Sequence, residues 1–245
     1  MRDCGLGNLT WVEIEDYLKT SALPGVIIPI GPMEEHGPHL PIGTDYLNAK
    51  RVAQMVAEKC DCLVAPTIPL MYCGIGGDCI GSYGVSPETL IMLASDITCK
   101  LAKDGFKKIL WGTGHGGQSM EEVKHGIQYA RKLLFTKGID VDFDADCIGH
   151  KVGDWWKKIT IETENDTHAG EIETSAVLYI SPELICGDLP PADYHTKIGS
   201  MDIVSKSGIN GDPRKATIEK GRVTVTSIVD YLAEWMNSPV GNVTA

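Results

Sequence analysis

Apolar, β-branched runs bounded by glycine, proline or aspartate alternate with amphipathic stretches along this chain. This alternation is typical of βα units arranged around a mostly parallel sheet. Strands are predicted at residues 24–31, 62–68, 107–112 and 139–144. Helices are predicted at residues 45–60, 87–104, 118–137, 170–180 and 217–237. We therefore expect an α/β fold in which helices flank a mostly parallel sheet.

The helix starts and two long irregular stretches refine this prediction. Thr44 is the expected N-cap of the first helix, and Ser86, followed by Pro87, that of the second. Residues 71–85, which contain five glycines, and residues 187–216 are predicted to be loops. Loops of this length inside a compact domain are commonly functional, so we expect them to act as lids or oligomer contacts.

The size and charge of the chain limit its class and its partners. With 245 residues and 43% hydrophobic content, residues 1–245 can bury one core, which predicts a single domain. The net charge of −11 argues against binding nucleic acid or an anionic membrane, since both need a cationic surface. The sequence shows no apolar run of about 20 residues and no apolar signal-peptide core near Met1, which predicts a cytoplasmic protein.

Eight cysteines are scattered over a chain large enough to fold without disulfides. We expect reduced and mostly buried thiols. Cys60 and Cys62 are one residue apart and have no second close pair, so their spacing does not fit a structural zinc site.

Metal-ligating residues are dense in residues 30–45, IGPMEEHGPHLPIGTD, which leave a predicted strand and enter a helix. Glu34 and His36 are two residues apart, so on extended chain they project to the same side with alpha carbons about 7 Å apart. Asp45 follows at a helix start, where the dipole also favours a carboxylate. Each residue alone could be a solvated side chain or a cap. Together, between glycine–proline bends, they indicate a metal site.

A second motif, KKILWGTGHGGQ, carries a predicted buried strand into a glycine-rich turn around His115. In open α/β sheets, ligands bind beyond the carboxyl ends of the strands, where His115 falls. A phosphate-binding loop is the alternative, but the sequence has neither GxxxxGK[ST] nor GxGxxG here.

A third motif, DTHAGEIETS, precedes an apolar helix. His168 and Glu171 are three residues apart and would share a face of its first turn. Capping of the helix by Thr167 and the following acids is the simpler alternative.

With these motifs and the later GINGDPRKATIEKG, the chain resembles the creatininase (creatinine amidohydrolase) family from about residue 25 to residue 235. The resemblance implies a three-layer α/β/α fold, a binuclear centre of divalent ions, Zn²⁺, Mn²⁺ or Fe²⁺, and a homohexamer. It also implies that Glu34 and His115 bind one metal, that His36 binds the other, that Asp45 bridges them, and that His168 is catalytic.

The chain departs from the creatinine-hydrolysing members in ways that bear on its second metal and its substrate. Those members have a carboxylate ligand where this chain has Gly117, and they lack an acid where it has Glu171. A catalytic metal usually keeps three protein ligands, so we expect Glu171 to supply the missing one. Glu122 is a poorer choice, because it lies about 10 Å along the following helix. The 71–85 loop also differs, which argues against creatinine itself as the substrate.

The expected reaction is hydrolysis of a small cyclic amide or a related C–N bond by metal-activated hydroxide. His168 would stabilise the tetrahedral intermediate or pass a proton to the leaving nitrogen. Asp78, Trp155 and Trp156 are candidate residues of the substrate pocket. Two alternatives on the same scaffold are an N-formyl deformylase and a ring-opening hydrolase of another cyclic metabolite. A non-catalytic metal- or metabolite-binding protein is an alternative of a different class.

Overall fold

The computed structural model describes residues 4–73, 79–116, 119–149, 153, 157–198, 201–203 and 205–241. The described α-helices are α1 (Trp11–Thr20), α2 (Thr44–Ala57), α3 (Pro87–Asp104), α4 (Ser119–Thr136), α5 (Glu171–Ile180) and α6 (Ile218–Asn237). The described strands are β1 (Gly25–Ile30), β2 (Cys62–Val64), β3 (Lys108–Thr113), β4 (Asp144–Ile148), β5 (Thr196–Ile198) and β6 (Met201–Ile203).

The main sheet has the strand order β2-β1-β3-β4, and every neighbouring pair is parallel. Both faces of its two central strands are buried, because helices cover the sheet on both sides. Val26, Ile28 and Ile30 pack with residues of α1, α3 and α4. Ile27 and Leu110 face the other way and pack with α2, α5 and α6. The predicted α/β fold with a parallel sheet between helices is therefore confirmed.

The fourth predicted strand, residues 139–144, is wrong, because β4 begins only at Asp144. Asp144 pairs in register with Lys108, and its carboxylate accepts a hydrogen bond of 3.1 Å from the Lys108 Nζ. Both residues are buried, so they form an internal ion pair at the start of two neighbouring strands. Asp144, the last residue of the predicted strand, is in fact the first residue of β4.

Three other predictions need correction. The strand predicted at 62–68 ends at Val64, and Ile68 pairs with Ile30 only as an isolated bridge. Helix α1, which was not predicted, begins with a capping box between Thr10 and Glu13. The predicted loop 187–216 contains the antiparallel hairpin of β5 and β6.

The N-cap residue is as predicted in α3 but not in α2. Ser86 caps α3 by accepting a hydrogen bond from the Thr89 backbone N–H, with Pro87 in the first turn. The N-cap of α2 is Gly43, whereas Thr44 is already helical and donates its hydroxyl to the Pro41 carbonyl. Along the described ranges, none of the helices is both long enough and apolar enough to span a membrane.

Candidate metal centre

The predicted ligands come together where β1 and β3 end. Glu34 and His36 follow β1, and His115 follows β3, so neighbouring parallel strands deliver them to the same edge of the sheet. Asp45 is the second residue of α2 and is fully buried. This arrangement follows the general rule that open α/β sheets bind ligands beyond the carboxyl ends of their strands.

Two glycines let the start of α2 lie directly against these strand ends. A Cβ at Gly31 would lie 2.6 Å from the backbone N of Tyr46, and one at Gly114 would lie 2.5 Å from the carbonyl oxygen of Asp45. Neither position has room for a side chain. Backbone contact between the strand ends and α2 therefore fixes the position of Asp45.

One group of candidate ligands consists of Glu34, Asp45 and His115. The His115 Nδ1 lies 3.1 Å from the Glu34 Oε2 and 3.1 Å from the Asp45 Oδ2. The side chains of both carboxylates are less than a tenth exposed. Buried carboxylates converging on one imidazole nitrogen are the oxygen and nitrogen donor set that Zn²⁺, Mn²⁺ and Fe²⁺ accept.

A second group is formed around His36, whose Nε2 lies 3.4 Å from the Asp45 Oδ1 and 3.6 Å from the Glu173 Oε2. The two carboxylate oxygens of Asp45 thus face different groups, which is the geometry of a bridging ligand. The His36 Nδ1 donates to the Glu34 carbonyl oxygen at 3.0 Å. This contact leaves the Nε2 lone pair for a cation, as in most metal-ligating histidines.

The site fits cations on its own chemistry. The buried Glu34 Oε2 and His36 Nε2 have no hydrogen-bond partner. Burial would lower the pKa of His36 and His115, but the surrounding carboxylates, Asp45 foremost, together raise both to about 10. Burial would likewise raise the pKa of Asp45, but the two imidazoles hold it well below its usual range. The buried carboxylates require positive charge beside them, which either protonated imidazoles or bound divalent ions supply.

Glu173 was not among the ligands predicted from the sequence, where Glu171 was expected to supply the ligand that Gly117 lacks. Glu173 lies in the first turn of α5, and its Oε2 accepts a hydrogen bond of 2.6 Å from the Ala169 N–H. Ala169 has a φ of 49°, a left-handed conformation that costs a residue with a Cβ some strain. In the turn at residues 168–170, the Ala169 N–H therefore points at Glu173 and orients its carboxylate towards His36.

Glu171, the expected ligand, is not brought to the candidate metal centre. Its buried carboxylate lies 2.6 Å from the Lys220 Nζ and accepts backbone hydrogen bonds from Glu162 and Thr163. These contacts use its oxygens on the side facing α6, and Glu171 is in neither group of candidate ligands. The N-cap residue of α5 is Gly170, and the Asp166 carboxylate accepts hydrogen bonds from the N–H groups of Glu171 and Ile172, a role that the alternative interpretation gave to Thr167.

His168 belongs to the second group of candidate ligands together with His36 and Glu173, and its ring centroid is 4.4 Å from that of His36. Its Nε2 donates to the carbonyl oxygen of Glu35 at 2.6 Å. A ring nitrogen of His168 lies within 4.8 Å of the ligand atoms that His36 and Glu173 would offer to a metal ion. Geometry alone therefore leaves both a catalytic and a ligand role open to His168.

The remaining site predictions are not brought into this centre. Asp78, Trp155 and Trp156, the candidate pocket residues, and Gly117 lie outside the described residues. Glu122 is buried on α4 and belongs to neither group of candidate ligands. All eight cysteines are free, as expected, but they are not mostly buried, since only Cys62, Cys73 and Cys147 are. None of these described cysteines belongs to a candidate metal group.

Comparison with known proteins identifies the family of this chain. Residues 7–236 match the family model for creatininase, described as creatinine amidohydrolase. The chain is 30% identical to a mycofactocin precursor peptide peptidase of Mycolicibacterium smegmatis over 94% of this chain and 89% of that protein. It is 27% identical to a 3-dehydro-scyllo-inosose hydrolase of Thermotoga maritima over 92% of this chain and 80% of that protein.

The fold matches as well. A crystal structure of creatinine amidohydrolase (creatininase) superposes with a TM-score of 0.80 at 24% identity, covering 98% of this chain and all of that one. The family predicted from the motifs is confirmed, and with it the class of reaction. The chain belongs to the creatininase family and is a metal-dependent hydrolase.

Proposed function

We propose that this protein holds two divalent ions and uses them to hydrolyse an amide C–N bond in a small molecule, with a cyclic amide as the first candidate substrate. The observation that carries the proposal is Asp45, whose two oxygens face two separate ligand groups. Glu34 and His115 would complete one site, and His36 and Glu173 the other. Each ion would then have three protein ligands, with room left for water and substrate.

Oxygen and imidazole ligands do not select one metal, so Zn²⁺, Mn²⁺ and Fe²⁺ all remain candidates. A creatininase structure that names manganese supports a family preference for such ions. Ions bound here would supply Lewis acidity that activates water at neutral pH and polarises a carbonyl.

The chain's own part in the reaction is to orient ligands and move a proton. The Glu34 carbonyl fixes the tautomer of His36, and the Ala169 N–H fixes the carboxylate of Glu173. We assign His168 the catalytic role. Because its Nε2–H is held by the Glu35 carbonyl, its Nδ1 is the nitrogen available to accept a proton or pass one to the leaving nitrogen.

A peptide amide is the second candidate substrate. The peptidase relative shares 30% identity over almost the whole chain, which is a specific reason to include peptides. N-formyl amides and ring-opening of a cyclic metabolite remain alternatives on this scaffold, the latter supported by the inosose hydrolase relative. A non-catalytic protein that only binds metal or a metabolite is the alternative outside the hydrolases.

Assembly and location are further proposals. We expect a homohexamer, because the family resemblance implies one and because long irregular segments would otherwise be solvated. Eight free cysteines favour a reducing compartment, which supports the cytoplasm. Light scattering tests the assembly, and a monomer at micromolar concentration would contradict it.

The decisive experiment measures metal content and turnover on the same preparation. Protein purified without chelators is analysed for metals, then stripped and reloaded with Zn²⁺, Mn²⁺ or Fe²⁺. Each form is incubated with a cyclic amide, an N-formyl amide and a short peptide, and the products are scored for the mass gain of one water. We expect two ions per chain and turnover in one substrate class. Two bound ions without any turnover would favour the non-catalytic alternative, and a chain that cannot be loaded would refute the centre.

A further inference from the structure

A pair of thiols lies at the opposite edge of the sheet from the candidate metal centre. Cys60 follows the end of α2, and Cys62 is the first residue of β2, at the amino end of that strand. The Cys62 backbone N–H donates to the Cys60 carbonyl oxygen at 3.0 Å. This three-residue turn draws the two residues closer than the ~7 Å of an extended chain, towards the 4.4–6.8 Å spacing of alpha carbons in disulfides.

The two thiols differ in their surroundings. Hydrogen bonding between them lowers the pKa of Cys60, and the same interaction together with burial raises the pKa of Cys62. Asn237 of α6 also donates to the Cys60 Sγ at 3.5 Å, and the Cys60 thiol has a long contact of 3.6 Å with the Ala233 carbonyl. Cys60 is partly exposed whereas Cys62 is buried.

We propose that Cys60 and Cys62 form a peroxide-reactive dithiol, in which Cys60 is attacked first and Cys62 closes a reversible disulfide. The partly exposed sulfur meets the oxidant, and the buried one is within reach to resolve the product. Reactive cysteines have this combination of access and nearby hydrogen-bond donors, whereas inert ones are buried among apolar groups.

The chemistry balances with hydrogen peroxide as the oxidant. The Cys60 thiolate attacks one oxygen, the O–O bond breaks, and the departing hydroxide takes up the thiol proton to become water. The Cys62 sulfur then attacks the Cys60 sulfenic acid, the S–O bond breaks, and the Cys62 proton leaves with the hydroxyl as a second water. Two thiols are oxidised to one disulfide, and one peroxide is reduced to two waters.

The test uses the metal-loaded full chain. After treatment with hydrogen peroxide, free thiols are alkylated and the protein is cleaved with trypsin and chymotrypsin. Cleavage after Lys59 and Leu63 releases Cys60–Leu63, which contains no other cysteine. We expect this peptide to lose two hydrogens and to escape alkylation, with both thiols restored by dithiothreitol. Cys186, which is exposed and is an unpaired reference, should react more slowly.

A variant separates the two roles. In Cys62→Ser, the sulfenic acid has no resolving thiol, so dimedone should label Cys60, and in Cys60→Ser no label should appear on Cys62. The proposal is overturned if both sulfurs of the wild-type peptide are still alkylated when Cys186 is already oxidised. A bridge from Cys60 to Cys4, the third thiol in this region, would overturn it as well. The wild-type measurement needs no variant to fold.

Discussion

The His168 ring is held by the backbone of Glu35: its Nε2 lies 2.6 Å from the Glu35 carbonyl oxygen. The Glu35 Oε1 lies 3.3 Å from the same nitrogen. Glu35 lies between Glu34 and His36, two of the proposed ligands, so the segment that provides metal ligands also orients the histidine beside them. A displacement of this segment would therefore disturb metal binding and proton transfer together.

His168→Ala tests whether this histidine serves the reaction or the metal. Loss of general acid–base catalysis typically costs about 10²–10⁴-fold in turnover, so we expect a loss of this size with both ions retained. Elemental analysis and turnover on the same sample provide the measurement. If the variant lost one ion per chain, His168 would be a ligand and its catalytic assignment would be wrong.

Glu173→Gln and Glu171→Gln form a matched pair on one helix turn. We expect Glu173→Gln to lose one of two ions, because it removes the carboxylate beside His36. Glu171→Gln should still load two ions, because Glu173 keeps its carboxylate, although the second ion should bind more weakly, and the free energy of unfolding should fall by about 2 kcal/mol, because Lys220 loses a charged hydrogen-bond partner. Metal analysis and urea unfolding separate the two effects. If Glu173→Gln retained both ions, Glu173 would not be a ligand, and another residue would have to complete the second site.

Gly114→Ala tests the backbone contact that positions Asp45. A Cβ there would meet the Asp45 carbonyl at 2.5 Å, so we expect α2 to shift and metal affinity to fall by tenfold or more, on the order of the losses seen when ligand orientation is disturbed. Gly112→Ala is the control, since its Cβ would meet only Ile27 at 3.6 Å. Calorimetric titration with Zn²⁺ compares the two, and equal affinities would show that the Gly114 contact does not matter for the site.

Tyr17 gives the fold a pH-dependent contribution far from the metals. Its hydroxyl accepts from the Gly25 N–H at 2.8 Å and lies 2.9 Å from the Asp61 carbonyl oxygen. Burial raises its pKa from 10.0 to about 12, so the neutral form is favoured in the folded chain. The stabilisation is complete below the unfolded pKa of 10.0 and is lost as the pH rises towards 12.

Tyr17→Phe checks this contribution. Leaving the buried Gly25 N–H without an acceptor should cost about 1–3 kcal/mol at neutral pH. Urea unfolding at a series of alkaline pH values should then show a smaller fall in stability for Tyr17→Phe than for the wild type. Parallel falls in the two proteins would assign the alkaline loss to other groups.

Much of this molecule could be predicted from sequence, because the deciding signals are local. The strand β1 is defined by its apolar run, and the helices α3 and α6 by their N-caps and amphipathic patterns. None of these signals needs tertiary information. The position of β4 could not be read this way. Asp144 looks like a strand terminator, but a buried Lys108 on the neighbouring strand compensates its charge.

The sequence alone did not show which of Glu171 and Glu173 lies beside His36, for a related reason. Both residues are acids in the first turn of α5, and both are compatible with its dipole. What separates them is contact with distant parts of the chain, Lys220 for one and His36 for the other. Spacing within a motif does not reveal such partners.

The ion pair between Glu171 and Lys220 has a consequence for the rotation of α5. Residues two apart on a helix point in directions about 200° apart, since each residue turns the chain by roughly 100°. By holding Glu171 against α6, Lys220 sets the angle of α5 about its own axis, and that angle decides where Glu173 points. A salt bridge remote from the ions would thus act as an alignment element, so that the affinity of the second site depends on a lysine that never touches a metal.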